Sequence, residues 1–574
     1  MLDIFIICSL ALILAMPLGM YMTGVFSGKP HLSDKIFGPI ENGLYRLMGV
    51  NQQQGMSWKV YGSAFLLSNL ILGILAFLIL KFQHLLPFNL DQIGPLSWDL
   101  ALHTAVSFLT NTNQQHYSGQ AQLSYLSQGF LIVTLQFVTP AMALAVCVAI
   151  LRGMRGGRNH ESAKEGETRD LGNYYVDLVR GVVRVLLPVA AVVALLLTWQ
   201  GVPSSFSGAQ HANTVDSASQ VATQEVPIGP VAPMVAIKQL GTNGGGWYGP
   251  NSSNPLENPT PVSNAIETIA LVLIPMAVVF MAGGLLRYKR FSTMSLVAMG
   301  VMSVGFIAAT VYSELQPNAA FAQLSVAGPN MEGKEVRFGP ELSALWGTLT
   351  TQTSNGSVNA MHDSFNPIGG LMTRSGMLIS AIWGGIGCGF VNFIVYVWLA
   401  VFLSGLMIGR TPEIFGRKIE TKEITLLASL IVLPTFCILV LTAVTVAFPA
   451  LTGNSNPGFH GISQVFYEYT SAFANNGSGF EGLGDDTPWW NISCVLALLA
   501  GRYLPLVLPL AVAGSMARKR VSPDSAGSLK LASPTFCVTL IAVILIINFL
   551  SFLPAAVMGP IGEALQLAET GMGY

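Results

Sequence analysis

Residues 98–113 read WDLALHTAVSFLTNTN, an apolar stretch of helical character that runs into a turn of small polar residues. The same construction returns at 232–244 (APMVAIKQLGTNG), 342–356 (LSALWGTLTTQTSNG) and 461–477 (GISQVFYEYTSAFANNG). The apolar parts are Trp98–Leu109, Ala232–Leu240, Leu342–Thr351 and Gly461–Phe473. Each falls well short of the ~20 residues that a helix needs to cross a bilayer. The turns that follow are Asn111-Thr112-Asn113, Thr242-Asn243-Gly244, Ser354-Asn355-Gly356 and Asn475-Asn476-Gly477.

Long apolar runs flank every one of these short stretches. They are Ile4–Thr23, Tyr61–Leu80, Phe130–Leu151, Val179–Trp199, Ile266–Leu286, Met294–Val311, Met372–Met407, Ile424–Phe448, Val495–Met516 and Phe536–Val557. The chain of 574 residues is 52% hydrophobic and only 10% charged, against about 25% charged in soluble domains. Its mean hydropathy is +0.56. That composition leaves too little polar surface to face water, so lipid is its natural solvent. A short helix between two spans reads as re-entrant, because irregular backbone at membrane depth is tolerated only when buried in protein or lining a cavity. The expected fold is therefore all-α and polytopic: ten transmembrane helices, with four membrane–pore–membrane repeats in pseudo-fourfold order. The units are expected at 59–174, 175–290, 291–422 and 423–530, between a leading segment (1–58) and a trailing one (531–574). That is an internal repeat of about 120 residues. Met372–Met407 is too long for one straight span and holds Gly384, Gly385, Gly387 and Gly389. Glycines at that density weaken a helix, so a break is expected there.

Basic residues orient the chain. Lys29, Lys35 and Arg46 follow the first run, and Arg152, Arg155, Arg158 and Lys164 follow the third. Arg287, Lys289 and Arg290 follow the fifth; Arg410, Arg417, Lys418 and Lys422 follow the seventh; Arg518, Lys519, Arg520 and Lys530 follow the ninth. Every second connection is basic, as cytoplasmic loops are, which puts both termini outside. Asp3 ahead of the first run and lysines behind it suit a retained helix better than a signal peptide.

The turns sit in the other, outer connections. Glycine reaches backbone angles that other residues resist, and asparagine tolerates left-handed angles better than most, so Asn113 preserves an approximate fourfold geometry. Four such loops around one axis would present rings of carbonyl oxygens that replace the hydration shell of a cation. The turns hold no carboxylate, which favours a monovalent ion over calcium or magnesium. Short helices that end at the turns aim their negative dipole ends at the axis, which also favours cations. Asn355-Gly356-Ser357 and Asn476-Gly477-Ser478 also match glycosylation acceptors; their recurrence at one place in each repeat points to a shared role instead. Arg502 lies inside Val495–Met516, where an arginine costs at least ~2.5 kcal/mol. It is expected to face the bundle interior or a wet cavity, as a charge that repels cations or as a structural pairing.

Other chemistry is scarce. The cysteines (Cys8, Cys147, Cys388, Cys437, Cys494, Cys537) are dispersed and read as small buried apolar groups. The eight histidines form no metal-binding spacing. Gly328 to Gly333-Lys334 approaches a P-loop, but Glu335 follows where a hydroxyl is needed, and no D-K-T-G is present. No ATP site is expected in this chain. Asp485-Asp486, the best metal candidate for an intramembrane enzyme, reads as a solvated loop face. A net charge of −1 by itself says nothing about nucleic-acid or acidic partners; no nucleic-acid partner is expected of a lipid-embedded chain.

The stretches TNTNQQHYSG (110–119), GTNGGG with NPLENPT (241–246 and 254–260), SNGSVNAMHDSFNPIGG (354–370), MIGRTPEIFG (407–416) and FANNGSGFEGL (473–483) resemble the potassium-binding A subunit of the bacterial Kdp potassium-uptake ATPase. The resemblance covers essentially the whole chain. It implies a member of the superfamily of K+ transporters in the bacterial inner membrane. Such a subunit binds and translocates potassium without catalysing ATP hydrolysis itself. The implied partners are the P-type ATPase catalytic subunit (the Kdp B subunit) and the small C and F subunits. The implied selectivity filter is the four turns: Asn111, Thr112, Asn113, Thr242, Asn243, Gly244, Ser354, Asn355, Gly356, Asn475, Asn476 and Gly477. By the same resemblance, Gln115 stands just behind the first filter at the mouth of a tunnel toward the ATPase. Gly384, Gly385 and Gly387 form a gating loop, and Arg502 matches an arginine in the family's helix after the fourth filter. Trk- and Ktr-like gradient-driven transporters share the repeat, but NPLENPT and MIGRTPE favour Kdp. The chain differs from the family's pattern at Gln114-Gln115-His116 and at Trp247-Tyr248-Gly249-Pro250.

Overall fold

The computed structural model describes residues 1–574 except 29, 159–168, 216–221, 325–327, 410, 523–529 and 571–574. Lys29, Lys164 and Arg410, used above for orientation, lie outside the described residues.

Ten helices among the described residues are long and apolar enough to cross a membrane, and the chain is a multi-pass membrane protein. The leading helix, Leu2–Phe26, packs along Pro261–Leu285. Four short helices, Trp98–Leu109, Val231–Leu240, Gly339–Gln352 and Gly458–Phe473, each lie between two long ones. Local chemistry sets the starts. Ser57, Ser97, Thr487 and Ser533 accept a main-chain N–H of the first turn, at 3.4, 3.3, 3.4 and 3.1 Å, which satisfies donors that a helix leaves unpaired. Pro261, Pro488 and Pro534 occupy the first helical position, where the missing N–H does no harm. Left-handed Gly156 (φ 108°) and Gly409 (φ 70°) end Leu126–Arg155 and Cys388–Ile408.

The interior and the lipid face separate clearly. The most apolar window of Pro261–Leu285 is 78% buried and that of Leu126–Arg155 is 72% buried, whereas that of Thr421–Ala447 is only 11% buried. The exposed side chains of this last helix include Val432 and Phe436; so large an apolar face is stable only against lipid or another chain.

The basic residues gather at one end of the bundle. Arg417 donates to the carbonyls of Met154 and Arg155, both at 3.1 Å. Lys519 reaches the Lys418 carbonyl (2.9 Å) and Glu423 (2.7 Å). The described ends of the chain lie with the short helices instead. The Met1 ammonium pairs with Glu341 at the start of the third short helix, and Glu563 lies 2.8 Å from His460 on the fourth.

Met372–Met407 breaks at its glycines, as expected, into Pro367–Ile379 and Cys388–Ile408, and the span proper starts at Cys388. One element lies outside the sequence reading. Asp34–Leu47 forms an additional helix. Its apolar residues pack on Val176, Val179 and Val183, and its Glu41 pairs with Arg184, which also meets Asp34.

Candidate functional site

The four turns share one backbone design. The residue four positions before each turn belongs to the preceding short helix: Ser107, Lys238, Thr350 and Ser471. Its carbonyl accepts the N–H of the middle turn residue: Thr112 (3.0 Å), Asn243 (2.9 Å), Asn355 (3.0 Å) and Asn476 (2.9 Å). The third residue's N–H returns to the same helical residue. Asn113 and Gly244 donate to its carbonyl at 3.1 and 3.2 Å; Gly356 and Gly477 donate to its hydroxyl, both at 3.0 Å.

The dihedral angles repeat as well. Asn111, Thr242, Ser354 and Asn475 open the turns at φ 62°, 49°, 49° and 51°. Asn113, Gly244, Gly356 and Gly477 close them at 57°, 83°, 87° and 102°. A β-branched threonine at positive φ is an outlier that needs surrounding structure to hold it. Alternation of left-handed and ordinary angles turns successive N–H groups to one side, here toward the helix, so the carbonyls face away from it. Among the described residues, no donor reaches the main-chain oxygens of Thr112, Asn243, Asn355 or Asn476.

The turns also close into a ring. A Cβ on Gly244 would stand closer than 3.0 Å to the Asn355 carbonyl oxygen, one on Gly356 to that of Asn476, and one on Gly477 to that of Thr112. A Cβ on Gly245 would meet that of Asn113 at 2.8 Å, which joins the first turn to the second. Glycine is thus required by the approach of the next turn's carbonyl as much as by its own φ. Side chains anchor the ring from behind. Asn355 Nδ2 donates to Lys238 O and Gln239 O (both 3.2 Å), and Asn476 Nδ2 to Thr350 O (2.9 Å). Asn475 Nδ2 donates to Thr112 Oγ1 (3.0 Å), and Asn111 Nδ2 to Thr242 O (3.0 Å).

Directly beneath the ring lies the break between Ile379 and Cys388. Ile386 N–H donates to Thr242 Oγ1 at 3.1 Å, and Gly384 N–H to Gln352 O at 2.9 Å. Gly384 and Gly389 touch so closely that a Cβ on either would overlap the other's Cα. Gly387, at φ 77°, abuts the Ala143 carbonyl. A cavity of about 90 Å³ opens here, lined by Asn111, Ser354, Asn475, Gly385, Cys388 and Arg502, which is room for several waters. Arg502 is 4% exposed; it donates to Cys388 Sγ (2.8 Å) and Thr139 O (3.1 Å). Among the described residues, no carboxylate lies within 4.0 Å of it. Gln115 is not part of this cavity. Its amide clamps Gly246 from both sides, at 3.1 and 2.8 Å, and so ties the segments that leave the first and second turns.

Some supporting residues left no readable trace in the sequence. Lys238, whose carbonyl holds the second turn, is fully buried and pairs with Glu257 of NPLENPT and with Asn251 Oδ1 (2.7 Å). Lys334, the P-loop-like lysine, is fully buried in an ion pair with Glu314 (2.9 Å). Trp247 and Tyr248 are buried, and the Tyr248 hydroxyl donates to Pro227 O (2.8 Å). The dispersed histidines and cysteines are not all isolated: His116 stacks on His103 with centroids 3.8 Å apart and lies near Glu468 and Cys494. Asp486 is exposed and Asp485 half-buried: the Asp485 side chain is 28% exposed and lies 3.9 Å from His116. Residues so distant in the chain leave no spacing signal.

The family model described as "Potassium-transporting ATPase A subunit" matches residues 5–565. A Gloeobacter violaceus protein named potassium-transporting ATPase potassium-binding subunit is 46% identical over 95% of this chain and 94% of its own length. Proteins of the same name from Caldanaerobacter subterraneus and Synechocystis are 42% and 45% identical, over 98% and 96% of this chain and 99% and 96% of their own lengths. The crystal structure of the potassium transporter TrkH from Vibrio parahaemolyticus shares the fold at 14% identity, with a TM-score of 0.51 over 87% of this chain and 97% of that one. By sequence over nearly its whole length, with a fold to match, the chain belongs to the family of potassium-transporting ATPase A subunits.

Proposed function

We propose that this chain binds potassium selectively and carries it across the membrane as the filter subunit of an ATP-driven uptake pump. The observation that carries the reading is the fourfold recurrence of one turn whose middle and last N–H groups are spent on the preceding helix while, among the described residues, no donor reaches the carbonyl of its middle residue. Rings of such oxygens substitute for the hydration shell of a cation. The ring has no carboxylate, and its four helices end at it, so the site is weakly negative, as suits a monovalent ion.

In this reading the filter is Asn111 to Asn113, Thr242 to Gly244, Ser354 to Gly356 and Asn475 to Gly477, one turn from each of the units 59–174, 175–290, 291–422 and 423–530. The basic end of the bundle is cytoplasmic, the termini are outside, and the membrane is the bacterial inner membrane. Potassium loses its water at the ring and enters the cavity below. There the Gly384–Gly389 segment obstructs the straight path and Arg502 repels the ion. Two unit charges ~5 Å apart repel by about 3 kcal/mol at an effective dielectric of 20, enough to slow direct passage ~100-fold. The ion leaves sideways to a separate P-type catalytic subunit, with the small C and F subunits completing the complex; ATP is hydrolysed there and not in this chain. Gln115 stands behind the first turn at the mouth of the sideways path, and its amide also holds the exits of the first two turns together.

Potassium-stimulated ATP hydrolysis by the co-expressed complex, wild type against Gly244→Asp, tests this reading. A large loss of potassium affinity, or stimulation by differently hydrated cations, is expected. Unchanged affinity and selectivity would remove Gly244, and with it the alignment of the turns, from the pore.

A further inference from the structure

Between the first and fourth units, His116, Glu468 and Cys494 each bring one ligand atom within 4.8 Å of the others, and all three are buried. His116 lies just past the first turn, Glu468 on the fourth short helix and Cys494 on the long helix that follows it. The orientation of the imidazole is set from behind. Asn491 donates its amide to Asp99 Oδ2 (3.0 Å), so its carbonyl oxygen faces His116 Nδ1 at 2.8 Å. Nδ1 therefore carries a hydrogen, and Nε2 faces Glu468 Oε1 (3.4 Å) and Asp485 Oδ2 (3.9 Å). An imidazole whose far nitrogen is tied to an oxygen acceptor is the usual arrangement of a metal-binding histidine.

Among the described residues, His116 Nε2, which faces this space, has no hydrogen-bond partner, and neither does the second carboxylate oxygen of Glu468, Oε2. Their side chains are 0% and 1% exposed, and buried polar atoms of that kind are rarely left unpaired. A tetrahedral ion with bonds of about 2.0–2.3 Å holds its ligand atoms roughly 3.3–3.8 Å apart, close to the separations seen from His116. We propose that His116, Glu468 and Cys494, with Asp485 on the solvent side, form a site for a borderline-soft divalent cation of the zinc type. The donor set selects it: imidazole nitrogen and thiolate sulfur suit zinc-like ions and not potassium. The site is separate from the ring of carbonyls. Gln114, the residue after the first turn, also donates to Glu468, so an ion here would tie the exit of that turn to the fourth unit.

Cobalt is the probe for this site, because a thiolate–cobalt bond gives a charge-transfer absorption that carboxylates and imidazoles do not. The intact complex, stripped with chelator and titrated with Co²⁺, should bind one ion per chain with that absorption. Cys494→Ala should abolish the band. His116→Gln and Asn491→Ala should each weaken binding at least about tenfold. Asp485→Asn, in a partly exposed loop, makes the same demand without touching the interior, should Cys494→Ala fail to assemble. Absence of the band in excess Co²⁺ would overturn the proposal. So would a band of equal strength and affinity in the Cys494, His116 or Asp485 variants.

Discussion

Gly356→Ala places a methyl group where the ring has no room for one. Gly356 sits at φ +87°, and a Cβ built there stands closer than 3.0 Å to both the carbonyl oxygen and carbon of Asn476. The backbone conformation costs a non-glycine residue about 1–2 kcal/mol. Relief of the overlap adds about 1–3 kcal/mol, as overpacking does, and the atom that must move is one of the free carbonyls. If even 1.4 kcal/mol of that total is felt only when the ion is bound, affinity falls about tenfold. Half-saturation of ATP hydrolysis by potassium, rubidium and ammonium, in the co-expressed complex, is the assay. A rise of at least about tenfold for potassium is expected, with a weaker preference among the cations. Asn113→Gly is the matched control: that position already carries a side chain, so the change forces no atom onto the ring, removes an amide that accepts from Gln136 Nε2 (3.0 Å), and should shift affinity less than Gly356→Ala. Half-saturation within about twofold of wild type in Gly356→Ala, with unaltered preference, would refute the carbonyl ring.

Arg502→Ala should let potassium leak through proteoliposomes without ATP, and a tight variant would show that the guanidinium is only a structural donor to Cys388 and Thr139. Lys238→Met leaves Glu257 buried without its partner, a loss of ~3–5 kcal/mol, so the thermal midpoint should drop sharply and recover in part when Glu257→Gln is added. Gln115→Ala removes both bonds to Gly246, at ~1–3 kcal/mol for the main-chain groups left unpaired, and should weaken potassium half-saturation severalfold. Burial disfavours the charged form of His460, but Asp363 and Glu563 outweigh it and raise its pKa from 6.5 to about 9. The folded value lies above the unfolded one, so this stabilisation is complete below pH 6.5 and lost as pH rises through about 9. The thermal midpoint should fall across that interval, less steeply in His460→Gln.

The half-length helices were legible because they are local: an apolar run too short to span, ended by small polar residues, is visible within twenty residues of sequence. The break at Gly384–Gly389 was legible for the same reason, from excess length and clustered glycines. What lay hidden depends on contacts between distant parts of the chain. Asp34–Leu47 is too polar for a scan of spans, and its partner Arg184 lies on a helix far along the chain. Glu257 was singled out only within a resembling motif; that it neutralises Lys238 under the second turn follows from the fold. Gln115 is placed at a tunnel mouth by resemblance alone; that its amide engages Gly246 follows from the fold. Cys494 looked like one more small apolar residue until the fold set it beside His116 and Glu468.

Crystals of the complex grown with thallium in place of potassium would locate the bound ion, because its anomalous scattering marks its position without interpretation of the protein density. A peak is expected on the axis enclosed by the main-chain oxygens of Thr112, Asn243, Asn355 and Asn476, displaced by added potassium. Thallium bound elsewhere in the chain, with none on that axis, would contradict it.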